Sequence, residues 1–500
     1  MQTLSASALG IHVSSLSPAI LEVIDGLSRA GFEAYVVGGS VRDLMLGLSP
    51  KDFDAVTNAT PTQIREVFGR RCRIIGRRFE LAHVYIGREL IEVATFRAPP
   101  RHNATSANGM ILRDNVWGTI EQDFARRDFT INALYYQPRA DVVLDFCGGV
   151  RDLQSRTLRF LGDPLQRFEE DPVRLLRVLR FAAKLEFRID PSILQVLDPA
   201  MARLLHDVSP HRLYDESQKM FGGGHLLSLL PLLIEHHVWP TLLGRTAPVV
   251  TPLIERAALS TDQRIAAGKS VNPAFFYAVL LWQQVQAHQA RLVGQGLEPA
   301  DAMGQAGMEV MRSQQKHTAI PRYAEVFIRE IWELQSRLIQ PRARQVPALL
   351  QHPRFRAAFD FLLLREQSGD AATQGMGDWW ERYQTMDNDQ REQAIRLLNR
   401  EQTRRRNKAA RQPLADEATA GAVPGLVEDL PPEDGALPDV AEQIEQSRGP
   451  RRNRRRERSA ASAPVEASAG ALSAVEASAT SRFRRKRRPR DLSQVFMGPY

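Results

Sequence analysis

Two carboxylates separated by one aromatic residue, Asp52-Phe53-Asp54, are the side chains best suited to chemistry in this chain. On a strand, residues two apart project to one face, so both carboxylates could reach a single metal-binding space while Phe53 points into the core. Clustered carboxylates serve transfer reactions at phosphorus that use two divalent ions. One ion lowers the pKa of an attacking hydroxyl and the other holds a triphosphate and its leaving group. An isolated Asp-x-Asp is more often a surface turn or a cap, so its surroundings decide the reading. Upstream, Gly38-Gly39-Ser40 joins a strand candidate to a helix candidate. Missing side chains at such a junction let phosphate oxygens approach backbone amides and a helix N-terminus. The plainer alternative is a tight turn. Further on, Asp171 before Pro172 has the form of an N-cap followed by a first helical residue.

These groups need a scaffold, and the periodicity supplies one. Apolar residues at helical spacing from Pro18 to Ala30 predict a helix ended near Gly31, and Glu33 to Val37 reads as the strand that enters the glycine turn. Helical periodicity resumes from Val41 to Leu46. Asp52 to Val56 reads as a strand, Pro61 to Phe68 as a helix opened by Thr60, and Ala82 to Ile86 with Leu90 to Phe96 as a hairpin around Gly87. From about Asp171 onward long helical stretches dominate: Val173 to Leu185, Asn272 to Gln286, Arg322 to Leu338 and Arg354 to Glu366. Beyond about Arg404, Arg, Ala, Ser, Glu and Pro take over, and Val-Glu-Ala-Ser-Ala occurs at Val465 and again at Val475. That segment offers too little apolar surface to offset the entropy of ordering, and disorder is expected. The fold class is therefore α+β. Its units are a mixed α/β head over residues 1–160, a helical neck over 161–225, a helical body over 226–403 and a basic tail over 404–500.

Composition narrows the function classes. Two cysteines, Cys72 and Cys147, are too few for a disulfide framework or a tetrahedral zinc site and fit a reducing cytoplasm as packed thiols. Neither a secretory signal pattern nor an apolar run long enough to span a membrane is present, so a cytoplasmic protein without obligatory membrane insertion is expected. The formal charge of +8 is unevenly placed, with dense runs at Arg454, Arg455, Arg456 and at Arg484, Arg485, Lys486, Arg487, Arg488. Such runs suit a polyanion, because each neutralised phosphate releases condensed counterions; a solvated linker is the competing reading.

Val37-Gly38-Gly39-Ser40-Val41-Arg42-Asp43, followed by Lys51-Asp52-Phe53-Asp54, resembles the opening motif of the class II nucleotidyltransferases, the family of tRNA CCA-adding enzymes and bacterial poly(A) polymerases. Three further stretches match in family order. Arg126 to Leu134 is similar to the second motif, Asp145-Phe146-Cys147-Gly148-Gly149 with Asp152-Leu153 to the third, and Glu170-Asp171-Pro172-Val173-Arg174 to the nucleobase-reading motif. The resemblance spans roughly residues 30 to 190 and implies a nucleotidyltransferase head. It implies that Asp52 and Asp54 bind two Mg2+ ions and that Asp128 is the third acidic member of the site. ATP as substrate would be held by Gly38, Gly39, Arg42, Arg127, Asn132, Asp171, Arg174 and Arg177. Asp171 and Arg174, at i and i+3 on one helix face, would meet a base edge. Arg177 and Arg180 continue that face; a solvated basic stripe is the alternative. Glu92 competes for the role of third carboxylate, an edge-strand charge being its other reading. Arg126 reads as a surface charge and His83 as structural.

The stretch Ile74 to Val84 resembles the poly(A) polymerase branch, whereas CCA-adding enzymes carry a different, glycine-containing sequence there. Asn272-Pro273-Ala274-Phe275, His352 to Ala358 and the Arg-rich tail resemble the same branch. No paired His-Asp signature of an added phosphohydrolase domain is present. The implied activity is magnesium-dependent, template-independent addition of AMP from ATP to RNA 3′ ends, with RNA-turnover proteins as possible partners. CCA addition to tRNA and a non-catalytic RNA-binding scaffold are the alternatives.

Overall fold

The computed structural model describes residues 1–76, 80–98 and 116–409. An eight-stranded mixed sheet organises the head: β1 (Gln2–Ser5), β2 (Ala34–Val37), β3 (Asp54–Thr57), β4 (Cys72–Ile75), β5 (Leu81–Ile86), β6 (Glu89–Thr95), β7 (Leu134–Gln137) and β8 (Val142–Asp145), in spatial order β1-β8-β7-β2-β3-β6-β5-β4. β2 and β3 are central. β2 pairs antiparallel with β3, which pairs parallel with β6. Central strands are read out poorly by exposed edges and well by neighbours on both sides, so whatever they carry is held firmly.

Helix α1 (Pro18–Arg29) starts where Ser17 accepts the Ile20 N–H and buries Ile20, Val23, Ile24 and Leu27 against this sheet. α2 (Gly39–Met45) follows the glycine turn, and α3 (Pro61–Phe68) is opened by a reciprocal cap in which Thr60 and Gln63 satisfy each other's backbone amides. After α4 (Ile120–Ala125), α5 (Gly149–Gln154) and α6 (Pro164–Glu170), the neck helix α7 (Val173–Leu185) buries one full face, including Leu175, Leu176, Val178, Leu179 and Ala182. It carries Arg174, Arg177 and Arg180 along the other.

Several expected bounds shift. The strand expected from Asp52 begins at Asp54, so Asp52 and Phe53 precede it; Phe53 is nonetheless buried, as expected. Pro172 precedes α7 instead of starting it. The single helix expected over Asn272 to Gln286 is two, Pro273–Leu280 and Trp282–Gly294. The first of these is buried nearly all round, so its sequence lacks the polar stripe that would have marked a change of axis. The last helix, Asn388–Ala409, runs five residues past the expected start of the tail at Arg404. The tail arginines Arg454, Arg455, Arg456, Arg484, Arg485, Arg487 and Arg488 lie outside the described residues. No helix among the described residues is long and apolar enough to cross a membrane.

Candidate active site

The sheet places one row of residues side by side. Val37, the last residue of β2, is opposite Asp54, Asp54 is opposite Glu92 on β6, and Glu92 is opposite His83 on β5. Residues in register on neighbouring strands share a face, so the carboxylates of Asp54 and Glu92 stand together. His83 Nε2 lies 3.4 Å from Glu92 Oε1. Immediately after Val37 the chain turns at Gly38, whose φ of +83° is a left-handed conformation costly for any side chain. A Cβ there would stand 3.9 Å from Arg127 Nη1. The guanidinium therefore faces the bare backbone of the turn.

Arg127 is fixed from behind. Its Nη2 donates to Asp123 Oδ2 at 2.8 Å and its Nε to Tyr135 Oη at 2.9 Å, while Tyr135 Oη donates to the same Asp123 oxygen at 2.9 Å. Asp123 sits on α4 one turn before Arg127 and is almost fully buried. Burial works to raise its pKa, but the Arg127 and Arg126 guanidiniums and the Tyr135 hydroxyl outweigh it and hold the carboxyl below its ordinary value. Asp123 was not singled out from sequence; its spacing of three and four residues from Arg126 and Arg127 was the available signal.

Asp54, Glu92, Gly38, Arg126 and Arg127 line a cavity of about 330 Å³. Although solvent reaches the Asp54 carboxyl, the cavity walls crowd it. Desolvation, then the Glu92 charge, and finally Asp52 push its pKa up to about 6, with Arg127 opposing. Such crowding is what a divalent cation relieves. Hard carboxylate oxygens match Mg2+, which binds through one or two carboxylates together with substrate phosphates and water. Among the described residues no three metal-type side chains converge. Asp52 is exposed ahead of the strand and within electrostatic reach of Asp54.

Asp128 lies elsewhere. Its Oδ2 accepts from Arg177 Nε at 2.9 Å and its Oδ1 from the Phe129 N–H at 2.8 Å and Asn132 Nδ2 at 3.2 Å. Burial opposes its charge, but Arg177 and these donors prevail and the pKa is lowered. Asn132 Oδ1 in turn accepts from Arg42 Nη1 at 2.7 Å. Arg42 is 3% exposed, hydrogen-bonded to Asp43 and set against the Phe181 ring, and a Cβ on Gly39 would lie 3.4 Å from its Nη2. Asp43, Arg42, Asn132, Asp128 and Arg177 thus form one chain of contacts from α2 to α7.

A second cavity of about 360 Å³ is lined by Asp128, Asp171, Arg174, Arg177 and, again, Arg126. Arg126 borders both cavities and pairs with Asp123, so it is not the plain surface charge expected. Asp171 accepts the Val173 N–H at 3.2 Å and Arg212 Nη2 at 2.8 Å; Arg174 Nη1 donates to Glu170 at 2.7 Å. Arg180 Nε donates to buried Glu216 at 2.6 Å. Arg212 and Glu216, on the helix Pro210–Phe221, had no local sequence signal.

Three family models match the chain: Poly A polymerase head domain over residues 34–159, Probable RNA and SrmB-binding site of polymerase A over 186–250, and Polymerase A arginine-rich C-terminus over 295–413. Poly(A) polymerase I of Haemophilus influenzae is 41% identical over 412 residues, covering 79% of this chain and 91% of that protein. The Poly(A) polymerase I of Escherichia coli O6:H1 is 42% identical over 391 residues, covering 75% and 84%. A solved CCA-adding enzyme, apo form II, shares the fold with a TM-score of 0.54 at 23% identity, covering 77% of this chain and 88% of that one. Identity at this level over three quarters or more of the chain means that it belongs to the bacterial poly(A) polymerase family of nucleotidyltransferases.

Proposed function

We propose that this chain is a template-independent polynucleotide adenylyltransferase that extends RNA 3′ ends with AMP from ATP. The observation that carries the reading is the single cavity in which the Asp54–Glu92 carboxylate pair faces the Gly38 turn and the clamped Arg127 guanidinium. Asp54, with Glu92 beside it and Asp52 at the rim, would hold Mg2+. The chemistry supplied by the bound ions is a lowered pKa at the RNA 3′-hydroxyl and neutralised charge on the triphosphate. The turn at Gly38 and Gly39 admits phosphate oxygens, and Arg127 Nη1 meets them with its other donors tied down, so little orientation is lost on binding. The 3′-oxygen attacks the α-phosphorus, the bond to the β-phosphate breaks, and pyrophosphate leaves.

Asp171, Arg174 and Arg177 border the neighbouring cavity and would read the adenine, while Asp128 would act by holding Arg177. Arg42 and Asn132 are buried links between the glycine turn and α7, so their support for ATP is by position. The residues divide as head 1–160, neck 161–225, body 226–403 and tail 404–500, with the tail arginines on RNA. A cytoplasmic setting among RNA-turnover proteins completes the proposal.

Extension of a generic RNA primer with ATP and CTP supplied separately tests it. Long ATP-dependent tails are expected. Short CTP-then-ATP products confined to tRNA would indicate CCA addition, and absence of any magnesium-dependent AMP incorporation would leave an RNA-binding scaffold.

A further inference from the structure

A cavity of about 610 Å³ lies in the helical body and shares no lining residue with the two cavities at the active site. Its volume is within the range of pockets that hold small organic ligands. The helices Pro252–Ala266 and Phe355–Gln367 form its walls, and the segment 267–272 closes one side. Two kinds of surface meet there. Phe275 and Phe327 are half-buried and present aromatic surface, one face of Phe327 being covered by the Arg354 guanidinium 5.4 Å from the ring centroid, whereas Arg264, Lys269 and Arg356 bring positive charge.

The charges are not equivalent. Arg356 is committed to Asp360 through Nε at 3.1 Å and Nη2 at 3.0 Å. Burial raises the Asp360 carboxyl despite that pair, a sign that the wall is shielded from water. Arg264 and Lys269 form no ion pair within 4 Å among the described residues, although Arg264 acts on Asp360 at longer range, so the cavity sets three cations against the single carboxylate of Asp360 beside apolar ring surface. An anion alone would leave the rings unused, and an apolar ligand would leave the cations unused. A phosphorylated nucleoside satisfies both: a π-face for Phe275 and Phe327, and phosphate oxygens for Arg264 and Lys269.

We propose that this body cavity is a second nucleotide-binding site, taking a nucleoside monophosphate unit either as the free nucleotide or as an unpaired residue of the bound RNA. Binding here goes beyond the transfer reaction and does not depend on it, since no residue of the cavity touches the proposed catalytic groups.

Equilibrium dialysis of labelled AMP against the full chain, without magnesium, should show two classes of site. Arg264→Gln with Lys269→Gln should weaken one class by about 10-fold or more, the scale of losing charge-assisted hydrogen bonds. Turnover on a primer of two or three nucleotides should be unchanged. Phe275→Leu, which keeps an apolar wall, provides a second variant and should weaken AMP at the same class while leaving inorganic phosphate unaffected. The source is settled by primer length. If the site serves RNA, KM falls in the parent protein as primers lengthen and the paired variant flattens that fall. If it serves free nucleotide, the dialysis result stands and KM against length is unchanged. One class of AMP site, equal in parent and variant, overturns the proposal whatever the polymerase assay shows. So does inorganic phosphate displacing AMP as well as AMP itself, since the rings would then contribute nothing.

Discussion

The head cavity and the neck cavity share Arg126 as a wall, yet their electrostatics run in opposite directions. In the head, Asp54 sits against Glu92 with Asp52 nearby, and its pKa is pushed up to about 6. In the neck, four acids each meet a guanidinium: Asp128 meets Arg177, Asp171 meets Arg212, Glu170 meets Arg174 and Glu216 meets Arg180. Asp128, Glu170 and Glu216 are all held below their ordinary values, because guanidiniums outweigh burial. One site sets two carboxylates side by side with the nearby guanidiniums directed elsewhere, and the other gives each of these acids its own guanidinium. The first gains from an incoming cation. The second gains from keeping a fixed shape, since paired guanidiniums lose little freedom when a ligand edge arrives.

The comparison breaks most visibly at Asp54. Asp54→Ala should lower turnover in primer extension by at least about 10²-fold, the scale of losing one stabilising group at a reaction centre. The same change should not destabilise the metal-free protein. A carboxyl whose folded pKa is raised above its unfolded value costs stability where it is ionised, so the cost is complete above about pH 6 and is relieved progressively as the pH falls from there into the ordinary carboxylate range. Thermal melts in a chelator should therefore show the variant at least as stable as the parent at pH 7.5. A drop in melting temperature there would mean that the head is not charge-strained.

Arg177→Ala tests the opposite regime. It leaves Asp128 largely buried with its main partner gone, and should destabilise the protein by about 2–3 kcal/mol, measured by denaturant unfolding. Arg177→Lys should recover only part of this, because the Nε and Nη2 donors that meet one Asp128 oxygen cannot both be supplied by an ammonium. An unchanged midpoint for Arg177→Ala would show that Asn132 and the Phe129 amide suffice for Asp128.

The pH dependence of stability separates the regions again. Glu216 has a folded pKa below its unfolded value, so its contribution is complete above about pH 5 and is lost as the pH falls through the lowered value. Glu216→Gln should flatten the acid side of the stability curve, while Asp54→Asn should remove a slope of opposite sign between about pH 4 and pH 6. If Glu216→Gln left the acid limb intact, the Arg180 pairing would carry no net stability.

Much of this scaffold was readable from local pattern. α3 begins and ends where Thr60, Pro61 and Phe68 place it, α7 spans Val173 to Leu185 as its periodicity required, and the β5–β6 hairpin turns at Gly87. A strand carrying Asp54 beside the glycine turn was readable, but it begins at Asp54 instead of Asp52, so Asp52 does not share the strand face that the alternation assigned to both carboxylates. What local pattern could not supply was registry between distant segments. Nothing near Asp54 announces that Glu92 is its partner across the sheet, although the sequence made Glu92 a contender. The resemblance implies a place for Asp128 in the acidic site beside Arg127, but consecutive side chains diverge, and Arg127 points to the Gly38 turn while Asp128 meets Arg177 of α7, a difference no local pattern carries. Arg212 and Glu216 were invisible for the same reason, since their partners are 41 and 36 residues away.

The smallest expected effect probes how redundant the neck lattice is. Glu216 is 2% exposed and is held by two cations, Arg180 at 2.6 Å and Lys219 at 3.3 Å. Lys219 is mostly exposed and pairs three residues along its own helix, a geometry worth little in water. Lys219→Ala should therefore change stability by less than about 0.5 kcal/mol, because Arg180 continues to satisfy the buried carboxylate. Lys219 also borders the neck cavity, so the same variant should raise the KM for RNA at low salt more than at high salt if it faces a phosphate. A stability loss as large as that of Arg177→Ala would show that Glu216 needs both cations, and that the charge balance of the neck is finer than one partner for each acid.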